Sequence, residues 1–270
     1  MPRLLIVVIL AAQTLAAMAL PALAAPCPSP DNLTRVSGGD ECLVIKTVAK
    51  AGGNASRVLY VLLHGGHSDG SPAVSFYPFA DTLMEQAPPG SVAVAMIRPG
   101  HRDAEGNESG GNGGIDDWHD HNIDLITDAI ARLKHFHHAD RLVLVGQSAG
   151  AAVSGVIIGR RPGLADAAML IGCPCQMGPW RFGKPNKAMV WVSLSPDDYL
   201  DGVPLSTMVT LMVGDDDSET RPALSQGYAA GLRARGVPVS LTILEGHGHV
   251  SPIRSQRVIN ATLRLGRGTQ

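Results

Sequence analysis

Short apolar runs recur along the chain, separated by polar and glycine-rich segments. The first run alternates apolar and polar residues, which is typical of a strand at the edge of a sheet. The later runs are almost continuously apolar, as in strands that are covered on both faces. The predicted strands are 43–48, 57–63, 92–97, 142–145, 167–172, 207–213 and 239–244.

Helical patterns lie between these runs. One helical face is formed by Ile123, Ile126, Ile130 and Leu133. Further helices are expected from 148 to the stop at Pro162-Gly163, from about 221 to 236, and from about 252 to 265. Strands that alternate with helices predict an α/β protein, a three-layer α/β/α sandwich with a mostly parallel sheet in a single domain.

The N-terminus has the three parts of a secretory signal peptide. Pro2-Arg3 is a short positive start, residues 4–20 are apolar, and Ala22-Leu23-Ala24 is a cleavage signal. Small residues at the end of the apolar stretch favour cleavage over a membrane anchor. We therefore expect residues 1–24 to be removed, which leaves about 245 residues. The mature chain is expected to be periplasmic or secreted, with no stable membrane association.

The chain has four cysteines, and an exported protein folds in an oxidising compartment, so we expect them to pair. Local pairing of Cys27 with Cys42 would attach the N-terminal segment 25–42 to the body of the domain. Two options stay open for Cys173 and Cys175: a disulfide across one residue, or pairing with the N-terminal cysteines.

Charge excludes one class of partner. The formal net charge is −2, 17% of residues are charged, and no basic block occurs, so nucleic acid is not expected to bind. The segment 63–70 also lacks the G-x-G-x-x-G spacing of dinucleotide-binding proteins. The sequence carries no signal for an oligomeric state.

The strongest chemical motif is Gly146-Gln147-Ser148-Ala149-Gly150, which lies between the apolar run 142–145 and a small-residue helix pattern. In this strand–turn–helix context, G-x-S-x-G predicts a nucleophilic serine. The turn forces the serine into a strained backbone conformation, and glycines two positions away relieve the crowding. The alternative is an ordinary glycine-rich turn between a strand and a helix.

A serine hydroxyl needs a base, and the base needs an orienting acid. The strand 207–213 ends in Gly214-Asp215-Asp216-Asp217, and the last strand is followed by Glu245-Gly246-His247-Gly248-His249. The order serine, acid, histidine is the one found in hydrolases with a central parallel sheet.

On these motifs, and on the strand that ends in His64-Gly65-Gly66, the region from about 43 to 265 resembles the α/β-hydrolase superfamily, in particular compact members such as dienelactone hydrolases and the catalytic domain of prolyl oligopeptidases. The resemblance implies an α/β-hydrolase fold, with 43–270 as the catalytic domain. It implies Ser148 as nucleophile, His249 as base and Asp217 as acid, with Asp215, Asp216 and His247 as open alternatives.

The resemblance also implies two backbone N–H groups that bind the oxyanion, those of Ala149 and Gly66, with His67 as the alternative to Gly66. Two long irregular stretches, 101–116 and 173–206, follow strand ends, where open α/β sheets place their ligands. His101 and Trp180, which lie in these stretches, and His67, from the loop after 57–63, are candidates for substrate binding. His119 and His121 are two residues apart on a helix and point in different directions, so no metal site is predicted, and no cofactor is required.

These features predict a serine hydrolase that acts on small-molecule carboxylic esters through an acyl-enzyme. A peptidase or amidase could use the same machinery. A non-catalytic binding protein that keeps the hydrolase shell is the alternative from another class.

Overall fold

The computed structural model describes residues 27, 30–52, 57–67, 69–114, 117–182 and 190–270. Its strands are β1 (Arg35–Gly38), β2 (Glu41–Ala49), β3 (Val58–Leu63), β4 (Val92–Met96), β5 (Arg141–Gln147), β6 (Ala167–Ile171), β7 (Met208–Gly214) and β8 (Val239–Leu244). Its α-helices are α1 (Tyr77–Gln86), α2 (Asp120–Phe136), α3 (Ala149–Arg160), α4 (Met177–Phe182), α5 (Pro222–Ala234) and α6 (Gln256–Gly266). Single 3₁₀ segments occupy Pro196–Gly202 and Ser251–Arg254.

The eight strands form one sheet in the order β1-β2-β4-β3-β5-β6-β7-β8. β2 is antiparallel to both of its neighbours, and the strands from β4 to β8 are parallel. The predicted mostly parallel sheet is therefore confirmed.

Two hydrophobic clusters cover the two faces of the sheet. Successive residues of β3 alternate between them: Leu59, Val61 and Leu63 join one cluster, and Val58, Tyr60 and Leu62 join the other. Helices α2, α3 and α5 contribute to the first cluster, and α1 and α6 to the second. This is the predicted three-layer sandwich, and it explains why the central strands are apolar on both faces.

Four elements were not predicted. β1 lies inside the segment 25–42, and its four residues are too few to show a period. α1 follows a stretch rich in glycine, serine and proline, and its first turn contains Pro78. The stretch 173–206, expected to be irregular, contains α4 and the 3₁₀ segment Pro196–Gly202.

Two disulfides join Cys27 to Cys42 and Cys173 to Cys175. The first is the predicted local pairing, and the second settles the open choice in favour of the disulfide across one residue. None of the described helices is long and apolar enough to span a membrane. The predicted signal peptide, 1–24, lies outside the described residues.

The parallel strands bring distant parts of the chain to one edge of the sheet. The segments that follow β3, β5, β7 and β8 begin with His64, Ser148, Asp215 and Glu245. Because parallel neighbours end at the same edge, the candidate motifs must lie close together.

Candidate active site

Ser148 occupies the sharp turn between β5 and α3. Its backbone φ is 54° and ψ is −120°, an unusual conformation for a residue with a side chain. Its N–H donates a hydrogen bond to Ile171 O on the neighbouring strand, at 2.8 Å. The turn thus has the strain that the motif predicts.

The two glycines of the motif are required by close backbone approaches. A Cβ on Gly146 would lie 2.2 Å from Gly150 O, and a Cβ on Gly150 would lie 2.0 Å from Leu63 O of β3. Both distances are well inside van der Waals contact, so no residue with a side chain fits without a backbone shift.

His249 lies between Ser148 and Asp217. Its Nε2 is 2.9 Å from Ser148 Oγ, and its Nδ1 is 2.9 Å from Asp217 Oδ2. Nδ1–H therefore donates to the carboxylate, and Nε2 is left to accept the hydrogen bond of the serine hydroxyl. Three segments that are far apart in sequence thus place a hydroxyl, an imidazole and a carboxylate in line.

The Asp217 carboxylate is buried and held by its own turn. Oδ1 accepts hydrogen bonds from the N–H groups of Glu219 (3.0 Å) and Thr220 (2.7 Å), and Oδ2 accepts one from Thr220 Oγ1 (2.7 Å). Burial opposes ionisation, but the hydrogen bonds from His249 and Thr220 outweigh it and lower the pKa of Asp217. The carboxylate is therefore ionised at neutral pH.

The alternative residues lie elsewhere. Asp215 and Asp216 are exposed, and Asp215 Oδ1 accepts hydrogen bonds from the N–H groups of Asp216 and His247. His247 Nδ1 lies 3.1 Å from Ser251 Oγ. Of the open alternatives, the structure therefore places only Asp217 and His249 beside each other and beside Ser148.

The two candidate oxyanion donors flank the serine. Ala149 is the first residue of α3, so its N–H has no acceptor within the helix and lies at the positive end of the helix dipole. A Cβ on Gly65 would lie 3.3 Å from Ser148 Cβ, so the loop after β3 passes directly beside Ser148. Among the described residues, the next N–H of this loop, that of Gly66, has no hydrogen-bond acceptor.

Two histidines of this loop, His64 and His67, lie close to His101 from the segment after β4. The centroid of the His64 ring is 5.4 Å from that of the His67 ring and 4.9 Å from that of the His101 ring. Burial, and then the positive charge of Arg98, lowers the pKa of each of the three imidazoles, most strongly that of His64. All three are therefore neutral at neutral pH.

The candidate substrate-binding residues have different surroundings. His67 is half-buried, and its Nδ1 lies 2.9 Å from Ser71 Oγ. His101 is 6% exposed and lies against Pro99 O (3.0 Å) and Asp117 Oδ2 (3.4 Å). Contact of either histidine with a substrate stays a prediction.

Trp180 lies against the turn that follows Asp217. Its Nε1–H donates to Glu219 O at 3.1 Å, two residues from Asp217, and its ring lies 5.9 Å from that of Trp118 and 5.6 Å from that of Trp191. Substrate contact by Trp180 likewise stays a prediction.

Within the described part of the chain, no group of three His, Cys, Asp or Glu side chains is arranged to hold a metal ion. The expectation that His119 and His121 point in different directions is wrong: His119 precedes α2 in an extended conformation, and the two rings stack with their centroids 6.4 Å apart.

Sequence reasoning missed residues that support the site. Thr220 holds Asp217, and Arg98 and Asp117 form a buried ion pair at 2.9 Å next to the loop after β3. The available signals were a hydroxyl residue three positions after the acid, and a charged residue directly after the buried run 92–97. Gln147 precedes the serine in the motif, and its Nε2–H donates to His249 O at 3.4 Å.

No protein-family model and no curated protein matches the chain. Solved structures do. The esterase Est1E of Butyrivibrio proteoclasticus, with ferulic acid bound, is 14% identical with a TM-score of 0.64, over 86% of this chain and 96% of that one. An esterase of Pyrococcus furiosus is 16% identical with a TM-score of 0.62, over 87% and 89%. An acylaminoacyl peptidase of Pyrococcus horikoshii is 16% identical with a TM-score of 0.63, over 86% of this chain but 39% of that one.

At these identities the matches establish the fold. The chain has the α/β-hydrolase fold, as the sequence predicted, and it spans well under half of the peptidase.

The glycine requirement can be tested by Gly150→Ala, with Gly178→Ala in α4 as the matched control. The added methyl group meets backbone at 2.0 Å in the first variant and nothing within 4 Å in the second. We expect Gly150→Ala to lower the free energy of unfolding by about 3 kcal/mol or more, and Gly178→Ala to change it by less than about 1 kcal/mol. Urea denaturation measures both, and equal stabilities would contradict the close approach.

Proposed function

We propose that this protein is a serine hydrolase that cleaves carboxylic esters through an acyl-enzyme. The observation that carries the proposal is the line of hydrogen bonds from Asp217 through His249 to Ser148, with 2.9 Å at each step. A buried carboxylate, an imidazole with a defined tautomer and a serine on a strained turn are the three parts that nucleophilic catalysis by serine needs.

Acylation follows from this geometry. Ser148 Oγ attacks the ester carbonyl carbon while His249 Nε2 takes the hydroxyl proton. The carbonyl oxygen becomes an oxyanion, which accepts hydrogen bonds from the N–H groups of Ala149 and Gly66. The intermediate collapses when the bond to the alcohol oxygen breaks and His249 Nε2–H donates its proton to that oxygen. Asp217 keeps the Nδ1–H tautomer in place and stabilises the imidazolium.

Deacylation repeats the same steps with water. His249 Nε2 takes a proton from the water that attacks the acyl carbon, and then returns it to Ser148 Oγ as the carboxylic acid leaves. No step requires a metal or a cofactor.

Esters are the proposed substrates because an alkoxide is a better leaving group than an amine, so ester cleavage needs less assistance from the site. Two of the similar structures are esterases, and one of them contains ferulic acid. His67, His101 and Trp180 are proposed to contact the substrate. Amide cleavage is the second candidate, because the fold also matches part of a peptidase.

We also propose that the chain is exported after removal of residues 1–24 and functions as a single catalytic domain over 43–270. Two disulfides support export, because stable disulfides form in oxidising compartments.

The nucleophile is tested with a fluorophosphonate, which forms a covalent bond to an activated serine. We expect one adduct on Ser148, located by peptide mass spectrometry, and none in Ser148→Ala. The variant should also lose at least about 10⁴-fold in kcat on short-chain nitrophenyl esters. If the folded wild-type protein takes up no label and hydrolyses no ester, it is a binding protein with a hydrolase shell.

The acid and the base are tested against their neighbours. Asp217→Asn removes the carboxylate that fixes the imidazole tautomer, so kcat should fall about 10³- to 10⁴-fold. Asp216→Asn makes the same chemical change on an exposed side chain one residue away and should leave kcat within about threefold. His249→Gln should inactivate the enzyme and His247→Gln should not. Steady-state ester kinetics decide, and the reverse pattern in either pair would reject the assignment.

Export is tested by expressing the full chain in a bacterium with a periplasm. We expect the protein outside the cytoplasm, with Ala25 as its first residue, and Ala24→Arg should block cleavage. Sequencing of the N-terminus and a free-thiol assay measure the outcome. An uncleaved cytoplasmic protein with reactive thiols would overturn the proposal.

A further inference from the structure

The largest fully buried side chain in the described structure is that of a charged residue, Arg98, two residues after the end of β4. Its guanidinium forms an ion pair with Asp117, and the two side chains are each 1% exposed. Taking two charges out of water is costly, and apolar residues of similar size often fill such a space with no loss of stability. The pair therefore calls for an explanation beyond the stability of the fold.

Two further donors of the Arg98 guanidinium go to the loop after β3. Nε–H donates to His64 O at 2.9 Å, and Nη2–H donates to Gly65 O at 3.1 Å. Nη1–H donates to Asp117 Oδ1 at 2.9 Å, so one guanidinium is bonded both to Asp117 and to two successive carbonyls of the loop.

His64 completes the arrangement. Its Nε2 accepts the backbone N–H of Arg98 at 2.9 Å, so the ring proton is on Nδ1, which donates to Gly65 O. Burial keeps the pKa of His64 far below its ordinary value, so Nε2 stays an acceptor. Gly65 O thus has two donors, Arg98 Nη2 and His64 Nδ1, for its two lone pairs. We call His64, Arg98 and Asp117 the loop clasp.

Because the peptide unit between Gly65 and Gly66 is planar and trans, fixing the Gly65 carbonyl also fixes the direction of the Gly66 N–H. Gly65 C=O and Gly66 N–H belong to the same peptide unit, and in a trans unit they point to opposite sides. Holding Gly65 O against Arg98 and His64 therefore turns the N–H of Gly66 away from the clasp. That N–H has no acceptor among the described residues and belongs to the loop that passes beside Ser148.

We propose that Arg98, held by Asp117, is a positioning residue that aims the Gly66 N–H at the oxyanion of the reaction. This inference rests on the proposed function. Arg98 does not touch the substrate. It acts through the peptide unit between Gly65 and Gly66, so its loss should weaken binding of the transition state and leave binding of the ester ground state almost unchanged.

The test compares Arg98→Lys with Arg160→Lys. Lysine keeps the charge beside Asp117 but lacks the planar fork that reaches both carbonyls. Arg160 pairs with Asp120 and Asp124 at the other end of α3 from Ser148 and serves as the matched control. Active sites are counted at the end point of a fluorophosphonate titration, so misfolded protein does not enter kcat.

For Arg98→Lys we expect kcat per titrated site to fall about 10- to 100-fold, less than the 10²- to 10³-fold cost of deleting an oxyanion donor. KM should stay within about threefold, and the inhibition constant of phenylboronic acid, whose serine adduct carries an oxygen in the oxyanion position, should rise by the same factor as kcat/KM falls. Arg160→Lys should match the wild type. A purely structural role would lower the number of titrated sites and leave kcat per site and the boronate constant unchanged, and that result would overturn the inference.

Asp117→Asn is the second variant. It leaves both bonds from Arg98 to the loop carbonyls but weakens their anchor, so a smaller loss in kcat per site, about 3- to 10-fold, is expected. If both variants fail to fold, the wild-type protein with isotope-labelled glycine still decides: phenylboronic acid should shift the Gly66 amide resonance, and an unshifted Gly66 amide would contradict the inference. Failure of the proposed function looks different, because the wild type itself would then neither hydrolyse esters nor react with the fluorophosphonate.

Discussion

The turn between β5 and α3 is so tight that glycine alone fits at Gly146, which faces the backbone of Gly150, and at Gly150, which faces the end of β3. This close approach holds Ser148 in its strained backbone conformation and places it beside the loop after β3. The sheet supplies the rigidity, because β5 pairs with β3 on one side and β6 on the other, and the N–H of Ser148 itself is bonded to Ile171 O. Strain in the turn is thus balanced by the most buried part of the fold.

The polar groups around the turn are organised in two connected sets. On one side, Thr220 and the amides of its turn donate hydrogen bonds to the Asp217 carboxylate. The carboxylate accepts a hydrogen bond from His249 Nδ1–H, and His249 Nε2 accepts one from the hydroxyl of Ser148. On the other side, Asp117 holds Arg98, which holds the carbonyls of the loop that carries Gly66. In the proposed mechanism the first set transfers the proton of the serine hydroxyl, and the second positions an N–H group that stabilises the oxyanion. Both are preorganised, so little rearrangement accompanies the reaction.

The strands and their stacking could be predicted from the sequence because each central strand is apolar on both faces, a property that only a covered parallel sheet explains. The candidate nucleophile could be predicted because the turn between β5 and α3 needs small residues two positions before and after the serine. The short strand β1 could not be predicted, since four residues show no period. The choice among three consecutive aspartates could not be made from spacing alone, because it depends on which carboxylate the turn rotates toward His249.

Arg98 and Asp117 show the limit of local patterns most clearly. Arg98 owes its importance to contacts with His64 and Gly65, more than thirty residues away, and Asp117 owes its importance to the ion pair with Arg98; no periodicity encodes such contacts. The central claim is that separate loops converge on one reacting centre, and a crystal structure of the protein soaked with phenylboronic acid tests it most directly. The account predicts boron bonded to Ser148 Oγ, with one boronate oxygen about 2.7–3.1 Å from the nitrogens of both Gly66 and Ala149, and His249 still in contact with Asp217. A boronate bound elsewhere, or a Ser148 adduct whose oxygens reach neither amide, would contradict it.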